Sequence, residues 1–511
     1  MKLGQMARSG NLKGALHIGG TGSDVGKSIL VTGLCRAFLR KGFKVAPFKG
    51  QNMALNAEVT DEGGEIGRAQ GLQAMACQIR ASVDMNPVLL KPKGQSISQL
   101  IVRGKVAGEI DAKEYQIKKK ELSATVDESF SNLWKNFDLI VAEGAGSVAE
   151  INLKGVDLAN LGLAQRLGVN SVLAADIDRG GVFASIYGTW ALVDKEAQKM
   201  LKGYVINKFR GDISLVKDGL SDFDKLVKIK NLGILPYLAR SGLDGEDSSS
   251  LSQIEIPLHN EVSKVLLDVA IIGFPTISNI SDFDPLRCEK GVRIRYIRHL
   301  SQLGDPDLII LPGSKVTVND LNWLKSQNGD ELIKKAYSNG SFILGICGGF
   351  QMLGKSIKDG FESGVETASG LNLIEAETVF RKEKVVKRVS GSAKSPFGGF
   401  VPFFGYQIHN GAVFGENGFI QINGQVNLEG SVSQDGRIWA TSCHGLFEND
   451  KWRSDFLNAV SLERIGCETS KLFSYASVRE EWINYLADWV EDNLDLDEIL
   501  GIATSSPIAR M

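Results

Sequence analysis

Residues 14–40 read GALHIGGTGSDVGKSILVTGLCRAFLR, and this stretch decides the fold of the first half of the chain. The apolar run Gly14 to Ile18 predicts a buried strand, and the apolar residues that follow Ser28 recur at helical spacing. A glycine-rich turn joins the two. Backbone N–H groups in such a turn, with a helix N-terminus behind them, form a cradle for phosphate. The stretch therefore predicts a nucleotide-binding strand–loop–helix unit.

The loop supplies the first candidate residues for binding ATP. We expect Gly20, Thr21 and Gly26 to shape the cradle, Lys27 to reach the β- and γ-phosphates, and the Ser28 hydroxyl to bind Mg²⁺. Five residues separate Gly20 from Gly26, where the standard phosphate loop has four. A chance glycine-rich turn is the alternative, but the strand before it and the helix after it favour a phosphate loop.

Further polar residues follow other predicted strands of the first half. Glu143 comes after the strand Asp138 to Ala142, and Lys49 follows Val45 to Phe48. We expect Glu143 to bind Mg²⁺ and Lys49 to steady the γ-phosphate or an acyl phosphate. Asn207 is a candidate for reading the nucleobase, and Glu65 in GGEIGRAQ is a second candidate metal ligand. On spacing alone, Glu65 is more typical of a helix surface than of a metal site.

A second reactive site is indicated by residues 342–354, FILGICGGFQMLG. A strand runs into Gly-x-Cys-x-Gly and then into a helix, which is the pattern of a nucleophile elbow. The helix N-terminus favours a thiolate at Cys347. We expect the backbone N–H of Gly348 to bind an oxyanion, with Gly313 in LPGS as the second donor. A buried structural cysteine is the alternative, which the flanking glycines disfavour.

A reactive thiol needs a base, and the chain has only 5 histidines. His444 follows the strongly β-forming stretch Arg437 to Ser442 and is the candidate base. His409 is more typical of a structural residue or a contact between domains. Glu448 is a candidate for orienting His444, although the sequence leaves the existence of such a third residue open.

Composition excludes several classes of function. Lys and Arg number 58 and Asp and Glu 60, so the chain lacks the basic excess typical of nucleic-acid-binding proteins. The 6 cysteines form no CxxC pair, which disfavours a disulfide framework. No signal-peptide pattern or long apolar run is present, so we expect a cytoplasmic protein without a membrane segment. The sequence leaves a homo-oligomer open.

Strands that alternate with amphipathic helices in both halves predict the α/β class, with two doubly wound domains and mainly parallel sheets. The first domain is predicted to be P-loop NTPase-like, and the second flavodoxin-like. A polar run from Ser241 to Gln253 marks the boundary between them. The predicted divisions are a P-loop domain at 1–245, a linker at 246–262, a second α/β domain with the thiol site at 263–495 and a loose tail at 496–511.

Motifs along nearly the whole chain resemble those of the cobyric acid synthase family, in the same order. They are GTGSDVGKS, FKGQNMALN, GGEIGRAQ, SVDMNPVLLKP, EGAGS, DIDRGGVFAS, NKFRGD, ISNISDFDPL, LPGSKVT, GICGGFQMLG, GYQIHNG and CHGLF. The first domain is similar to dethiobiotin synthetase, whose phosphate loop shares the five-residue spacing. The second is similar to class I glutamine amidotransferases of the cobyrinate subgroup. The resemblance therefore implies an ATP-dependent synthetase domain at 1–245 and a glutamine amidotransferase domain, a flavodoxin-like glutaminase, at 263–495.

The resemblance implies amidation of the b, d, e and g carboxylates of adenosylcobyrinic acid a,c-diamide, a corrinoid, with glutamine as nitrogen donor and ATP and Mg²⁺ as cofactors. It implies Cys347 as nucleophile and His444 as its base. Lys27 and Ser28 match the phosphate loop. Glu143 and, less closely, Glu65 match the metal-binding acids of dethiobiotin synthetase.

One position departs from most class I glutamine amidotransferases, which have Glu two residues after the histidine. Position 446 is Leu, so we predict a Cys–His dyad. We also predict a shielded path for ammonia between the domains.

Three rival functions differ in what they require. Cobyrinic acid a,c-diamide synthase typically has Gly-Pro-Asp after the lysine, whereas this chain has Gly50–Gln51–Asn52 after Lys49. An amidating ligase of cell-wall precursors is a more distant rival. A regulatory P-loop ATPase has no use for an activated thiol, so the elbow at Cys347 disfavours it.

Overall fold

The computed structural model describes residues 12–94, 96–151, 156–238 and 267–508. The predicted linker at 246–262 lies outside these residues. Within them, no helix is both long and apolar enough to cross a membrane.

The first unit alternates strands and helices, as its sequence pattern predicts. Its elements are β1 (Gly14–Gly20), α1 (Lys27–Arg40), β2 (Val45–Phe48), β3 (Gln51–Met53), β4 (Ala57–Val59), β5 (Glu65–Gly67), α2 (Arg68–Ala76), β6 (Val88–Pro92), β7 (Ile97–Val102), β8 (Lys105–Asp111), α3 (Ala112–Asn136), β9 (Leu139–Glu143), α4 (Leu161–Leu167), β10 (Asn170–Asp176), α5 (Val182–Leu192), α6 (Lys195–Met200), β11 (Leu201–Phe209), α7 (Ser214–Phe223) and β12 (Lys230–Pro236).

The main sheet of this unit is parallel, in the order β12-β11-β10-β1-β9-β2. Strands β1, β2 and β9 are buried along their whole length because helices cover both faces of the sheet. The carboxyl ends of parallel strands lie at one edge, so the phosphate loop after β1 and Glu143 at the end of β9 become neighbours.

An insertion between β2 and α3 was not predicted. It forms a smaller sheet in the order β3-β6-β7-β8 and a separate hairpin of β4 and β5.

The second unit has the predicted α/β pattern with an added sheet that is mostly antiparallel. Its elements are β13 (Leu267–Ile272), β14 (Ile277–Ser278), α8 (Asp284–Arg287), β15 (Val292–Ile297), β16 (Leu308–Leu311), β17 (Gly313–Ser314), α9 (Thr317–Ser326), α10 (Gly329–Ser338), β18 (Phe342–Ile346), α11 (Gly348–Leu353), β19 (Ser356–Lys358), β20 (Thr367–Ser369), β21 (Ala376–Lys394), β22 (Phe400–Gly415), β23 (Ile420–Ile422), β24 (Ser431–Val432), β25 (Ile438–Thr441), β26 (Cys443–His444) and α12 (Asp450–Arg464).

Its central sheet has the order β15-β13-β16-β18-β25-β24, and only the β24–β25 pair is antiparallel. The long hairpin of β21 and β22 pairs with β26 and so reaches His444. The prediction of an α/β fold with mainly parallel sheets is confirmed.

The last two helices, α13 (Tyr475–Asn493) and α14 (Leu496–Thr504), join the core of the first unit. Helix α13 packs so closely on α1 that a Cβ added at Gly33 would lie 2.6 Å from the Leu486 carbonyl oxygen. Beyond α14, the Ser506 hydroxyl donates to the Ala15 carbonyl at 2.7 Å. The prediction of a loose tail is therefore wrong for residues 496–508. The sequence can reveal the apolar face of such a helix, but it does not reveal which part of the fold that face packs against.

The two units also meet through the β4–β5 hairpin. Ala57 and Val59 pack against Tyr406 and Ile408 of β22. Polar contacts flank this apolar patch, among them the hydrogen bond from the Ala57 N–H to the Asn279 side chain at 3.1 Å. The hairpin therefore brings the nucleotide-binding unit to the edge of the thiol site.

Candidate active site

The phosphate loop leaves β1 and enters α1 through a left-handed glycine. Gly26 has a φ of +91°, and a Cβ there would lie 2.3 Å from the side-chain nitrogen of Asn207. That amide nitrogen donates to the Val25 carbonyl at 2.8 Å. The structure thus brings the loop and Asn207 together, as predicted, and explains why position 26 requires glycine.

Lys27 lies inside the loop. Its ammonium donates to the carbonyl oxygens of Gly22 and Gly146, each at 2.9 Å. A phosphate held in the loop would therefore meet this buried charge directly. Gly146 belongs to the EGAGS segment after β9, so Lys27 also links the two strand ends.

Glu143 is the centre of a hydrogen-bonded group beside the loop. It accepts from the Ser28 hydroxyl at 2.8 Å, from the Lys49 ammonium at 2.8 Å and from the Gln73 amide at 2.6 Å. Three predicted residues therefore meet, together with Gln73, which sequence reasoning missed because a helical glutamine carries no distinctive pattern. Glu143 and Lys49 are both buried.

The oxygen atoms of Ser28 and Glu143 suit Mg²⁺, which favours oxygen ligands and is often held by one or two protein groups together with substrate phosphates. Within the described ranges, no cluster of three or more His, Cys, Asp or Glu side chains forms a metal site. Ser28 and Glu143 would therefore share the cation with the phosphates of a nucleotide.

Glu65 does not join this group. One of its carboxylate oxygens lies 2.7 Å from the Lys91 ammonium and the other 2.5 Å from that of Lys384. The structure therefore does not support the prediction that Glu65 is a metal ligand. Its sequence position suggested a phosphate-site acid, but the inserted strands carry it to the boundary with the second unit.

Cys347 occupies the predicted sharp turn between β18 and α11, with φ 51° and ψ −104°. Such a backbone is strained for any residue other than glycine. The two residues after it must be glycines, because a Cβ at Gly349 would lie 1.9 Å from the Leu311 carbonyl oxygen and one at Gly348 would lie 2.8 Å from the Ser314 nitrogen. The turn is held by the bond from the Cys347 N–H to the Thr441 carbonyl at 2.8 Å.

His444 faces Cys347 and is oriented by an acid that sequence reasoning did not select. Its Nδ1 lies 2.6 Å from a carboxylate oxygen of Asp282, whose other oxygen accepts the Gly445 N–H at 3.0 Å. The ring of Tyr406 stacks on the imidazole, with centroids 5.2 Å apart. The residues form a Cys–His–Asp arrangement in place of the predicted dyad. Asp282 lies in the ISNISDFDPL motif. Because this motif contains two acids, the sequence alone does not indicate which of them contacts His444.

The environment holds a proton on His444. Burial alone lowers the pKa of its imidazole, but the Asp282 carboxylate and the adjacent Cys347 sulfur outweigh burial and raise that pKa to about 10. A cationic imidazole beside the sulfur can supply a proton to a leaving group.

The remaining candidates of this unit take different places. Glu448 pairs with Arg68 and Arg479, each at 3.2 Å, rather than orienting His444. Gly313 lies against the site, since a Cβ there would be 3.3 Å from the His444 ring. Its role as an oxyanion donor, like that of Gly348, stays a prediction.

A cavity that is partly open to solvent lies at the thiol site, and a residue of the first unit contributes to its wall. Cys347, His444 and His409 line it from the second unit, and Lys91 lines it from the insertion of the first. Burial lowers the pKa of His409 to about 4, so this imidazole is neutral at physiological pH. The cavity therefore extends from the thiol to the boundary between the units.

Comparison with known proteins identifies both units. Residues 16–248 match the model of the CobQ/CobB/MinD/ParA nucleotide binding domain, and residues 268–452 match that of the CobB/CobQ-like glutamine amidotransferase domain. These matches define a nucleotide-binding domain joined to a glutamine amidotransferase domain.

Full-length relatives give the particular family. The cobyric acid synthase of Rhodococcus jostii (strain RHA1) is 43% identical over 96% of each chain. That of Brucella canis (strain ATCC 23365 / NCTC 10854 / RM-666) is 44% identical, over 96% of this chain and 99% of its own. That of Caldanaerobacter subterraneus subsp. tengcongensis is 42% identical, over 95% and 98%. The chain belongs to the cobyric acid synthase family, which confirms the resemblance seen in its motifs.

Proposed function

We propose that the protein uses ATP and glutamine to amidate the b, d, e and g carboxylates of adenosylcobyrinic acid a,c-diamide. The observation that carries this proposal is the cavity that joins the Cys347–His444–Asp282 group to the nucleotide-binding unit. A ligase that makes its own ammonia needs both a glutaminase and a nucleotide site. Family membership supports the choice of substrate.

Glutamine hydrolysis would begin with attack of the Cys347 thiolate on the side-chain amide carbon. The developing oxyanion would be bound by the N–H groups of Gly348 and Gly313. His444 would give its proton to the amide nitrogen, which then leaves as neutral ammonia, while Asp282 keeps the imidazole oriented. Water would then release glutamate from the thioester.

Amide formation would use the first unit. A substrate carboxylate would attack the γ-phosphate of ATP, with the charges of Lys27 and Lys49 stabilising the transferred group. Ser28 and Glu143 would hold Mg²⁺, which neutralises phosphate charge when bound. Ammonia would displace phosphate from the acyl phosphate and leave an amide.

Ammonia has to reach that acyl phosphate without meeting bulk water, where it would be protonated. Cys347 of the second unit and Lys91 of the first unit line the same cavity, and the predicted shielded path would start there. The neutral imidazole of His409 on its wall donates no proton to ammonia at physiological pH.

Mass spectrometry of the products tests this function. The protein would be incubated with adenosylcobyrinic acid a,c-diamide, ATP, Mg²⁺ and glutamine, and each replacement of OH by NH₂ would be counted. Four additions are expected, one for each named carboxylate. Amidation only of unamidated cobyrinic acid would indicate the a,c-diamide synthase activity. ATP hydrolysis that ignores both glutamine and corrinoid would indicate a regulatory ATPase.

A further inference from the structure

A buried ion pair on the wall of the thiol cavity is not used by the mechanism above. Lys315 and Glu362 both line this cavity together with Cys347. The Lys315 ammonium lies 3.3 Å from a Glu362 carboxylate oxygen, and the two side chains are only 7% and 11% exposed. Both charges therefore face the space that any molecule attached to Cys347 would occupy.

The position of each charge is fixed by its local structure. Lys315 follows Ser314 at the end of β17, and its backbone N–H donates to the Thr276 carbonyl at 2.9 Å. Glu362 stands in a turn organised by the buried carboxylate of Asp359. That carboxylate accepts the N–H groups of Phe361, Glu362 and Ser363 at 3.0, 2.7 and 2.9 Å.

Stability does not account for this pair. Burial lowers the pKa of Lys315 and raises that of Glu362, and their mutual attraction only partly offsets burial. Buried ion pairs are often replaceable by apolar residues without loss of stability. A charged ligand that reaches the cavity gives a reason to keep both charges there.

Glutamine has the matching charges. Its amide must point at the Cys347 sulfur, and its α-ammonium and α-carboxylate, both on one carbon, then extend into the cavity. We propose that Lys315 binds the α-carboxylate and Glu362 the α-ammonium of glutamine, so that the pair selects the free amino acid among other primary amides. This inference rests on the proposed glutaminase function.

Substrate analogues that lack one charge test the assignment. Ammonia release would be measured as kcat/KM for glutamine, for L-glutaminamide, whose α-carboxyl is neutral, and for N-acetylglutamine, whose α-amine is neutral. Isoglutamine formed from L-glutaminamide would be identified by mass spectrometry. Loss of a charged hydrogen bond corresponds to about a 10- to 100-fold drop in kcat/KM. We expect each analogue to show such a drop with the unaltered protein.

Each variant should lower the activity with glutamine but not with the analogue that lacks the charge bound by the substituted residue. Lys315→Met should lower kcat/KM for glutamine about 10- to 100-fold. It should lower kcat/KM for L-glutaminamide little, because that analogue already lacks the contact with Lys315. Glu362→Gln should behave in the same way with N-acetylglutamine. Lys334→Met removes an exposed lysine that is paired with Glu331 on the surface, and it serves as the matched control.

Equal losses with glutamine and with the analogues would show that the pair only shapes the cavity and would overturn the inference. If Lys315→Met fails to fold, Lys315→Arg keeps the charge and should keep the preference for glutamine over L-glutaminamide; loss of that preference in a folded Lys315→Arg protein would count against the assignment. No ammonia release from glutamine by the unaltered protein would instead refute the proposed function.

Discussion

The carboxylate of Glu65 lies 2.5 Å from the ammonium of Lys384, and this ion pair crosses the boundary between the two units. Burial alone raises the pKa of Glu65, but Lys384 and Lys91 outweigh it and lower the pKa to about 2. Glu65 is therefore ionised at physiological pH. Since both lysines line the thiol cavity, the three charges form part of the wall between the glutaminase and the nucleotide-binding unit.

Removing the charge of Glu65 should destabilise the protein and let ammonia escape at the boundary between the two units. Glu65→Gln leaves two buried lysines without their counter-charge, which we expect to lower the free energy of unfolding by about 3–5 kcal/mol. We also expect glutamate to form in excess of amide, because ammonia escapes. The ratio of glutamate to amide product measures the escape. Glu62→Gln, at an exposed position, is the control. A changed Mg²⁺ requirement with an unchanged ratio would favour a metal-binding role for Glu65.

Glu65→Gln should also change how the stability of the protein depends on pH in the acid range. The folded-state pKa of Glu65 is lowered from 4.5 to about 2, so its contribution to stability is present above pH 4.5 and is lost as pH falls toward 2. Glu65→Gln should remove that part of the pH dependence. Urea unfolding between pH 5 and roughly pH 3 would test it; parallel curves for both proteins would contradict it.

Asp282→Asn should damage glutamine hydrolysis through His444. Without the carboxylate, burial dominates and the pKa of His444 falls from about 10, so the imidazole loses its proton at lower pH. We expect the alkaline limb of the pH–rate profile to move to lower pH and kcat to fall on the order of 10²- to 10⁴-fold. Glu448→Gln, which alters contacts to arginines and not to His444, should leave the profile in place. An unmoved alkaline limb in Asp282→Asn would argue against orientation by this acid.

Cys347→Ser should separate the two activities. A serine hydroxyl is a far weaker nucleophile than a thiolate, so glutamine-dependent synthesis should disappear. Synthesis from a high concentration of ammonium should persist because the nucleotide site is untouched. Cys467→Ser, at an exposed cysteine, is the control. Loss of both nitrogen sources in a folded Cys347→Ser protein would contradict the division of labour.

Two glycines with similar backbone angles test the loop contact. Gly26 and Gly42 have φ values of +91° and +95°, but a Cβ at Gly42 meets nothing within 4 Å, whereas one at Gly26 meets Asn207. Gly42→Ala should therefore cost only the backbone strain, about 1–3 kcal/mol. Gly26→Ala should cost more and should also weaken ATP binding, measured by calorimetry. Equal effects of both substitutions on ATP affinity would show that the contact with Asn207 is unimportant.

Local patterns predicted the parts of each site that one segment supplies. The phosphate loop and the turn at Cys347 were visible because glycine spacing, strand and helix all lie within about thirty residues. Asp282 was missed, and the lysine partners of Glu65 were not predicted, because the contacts of both acids lie far away in sequence. Only the folded chain brings Asp282 to His444 and Lys384 to Glu65.

The packing of α13 and α14 on the first unit bears on how the chain folds during synthesis. Their apolar faces complete the core around α1 and β1, which is made hundreds of residues earlier. The core of the nucleotide-binding unit is therefore complete only after residues 475–504, which follow the glutaminase, have been translated. Because domains generally fold as units during synthesis, we expect the glutaminase to fold while the first unit still exposes the apolar surface that α13 and α14 cover.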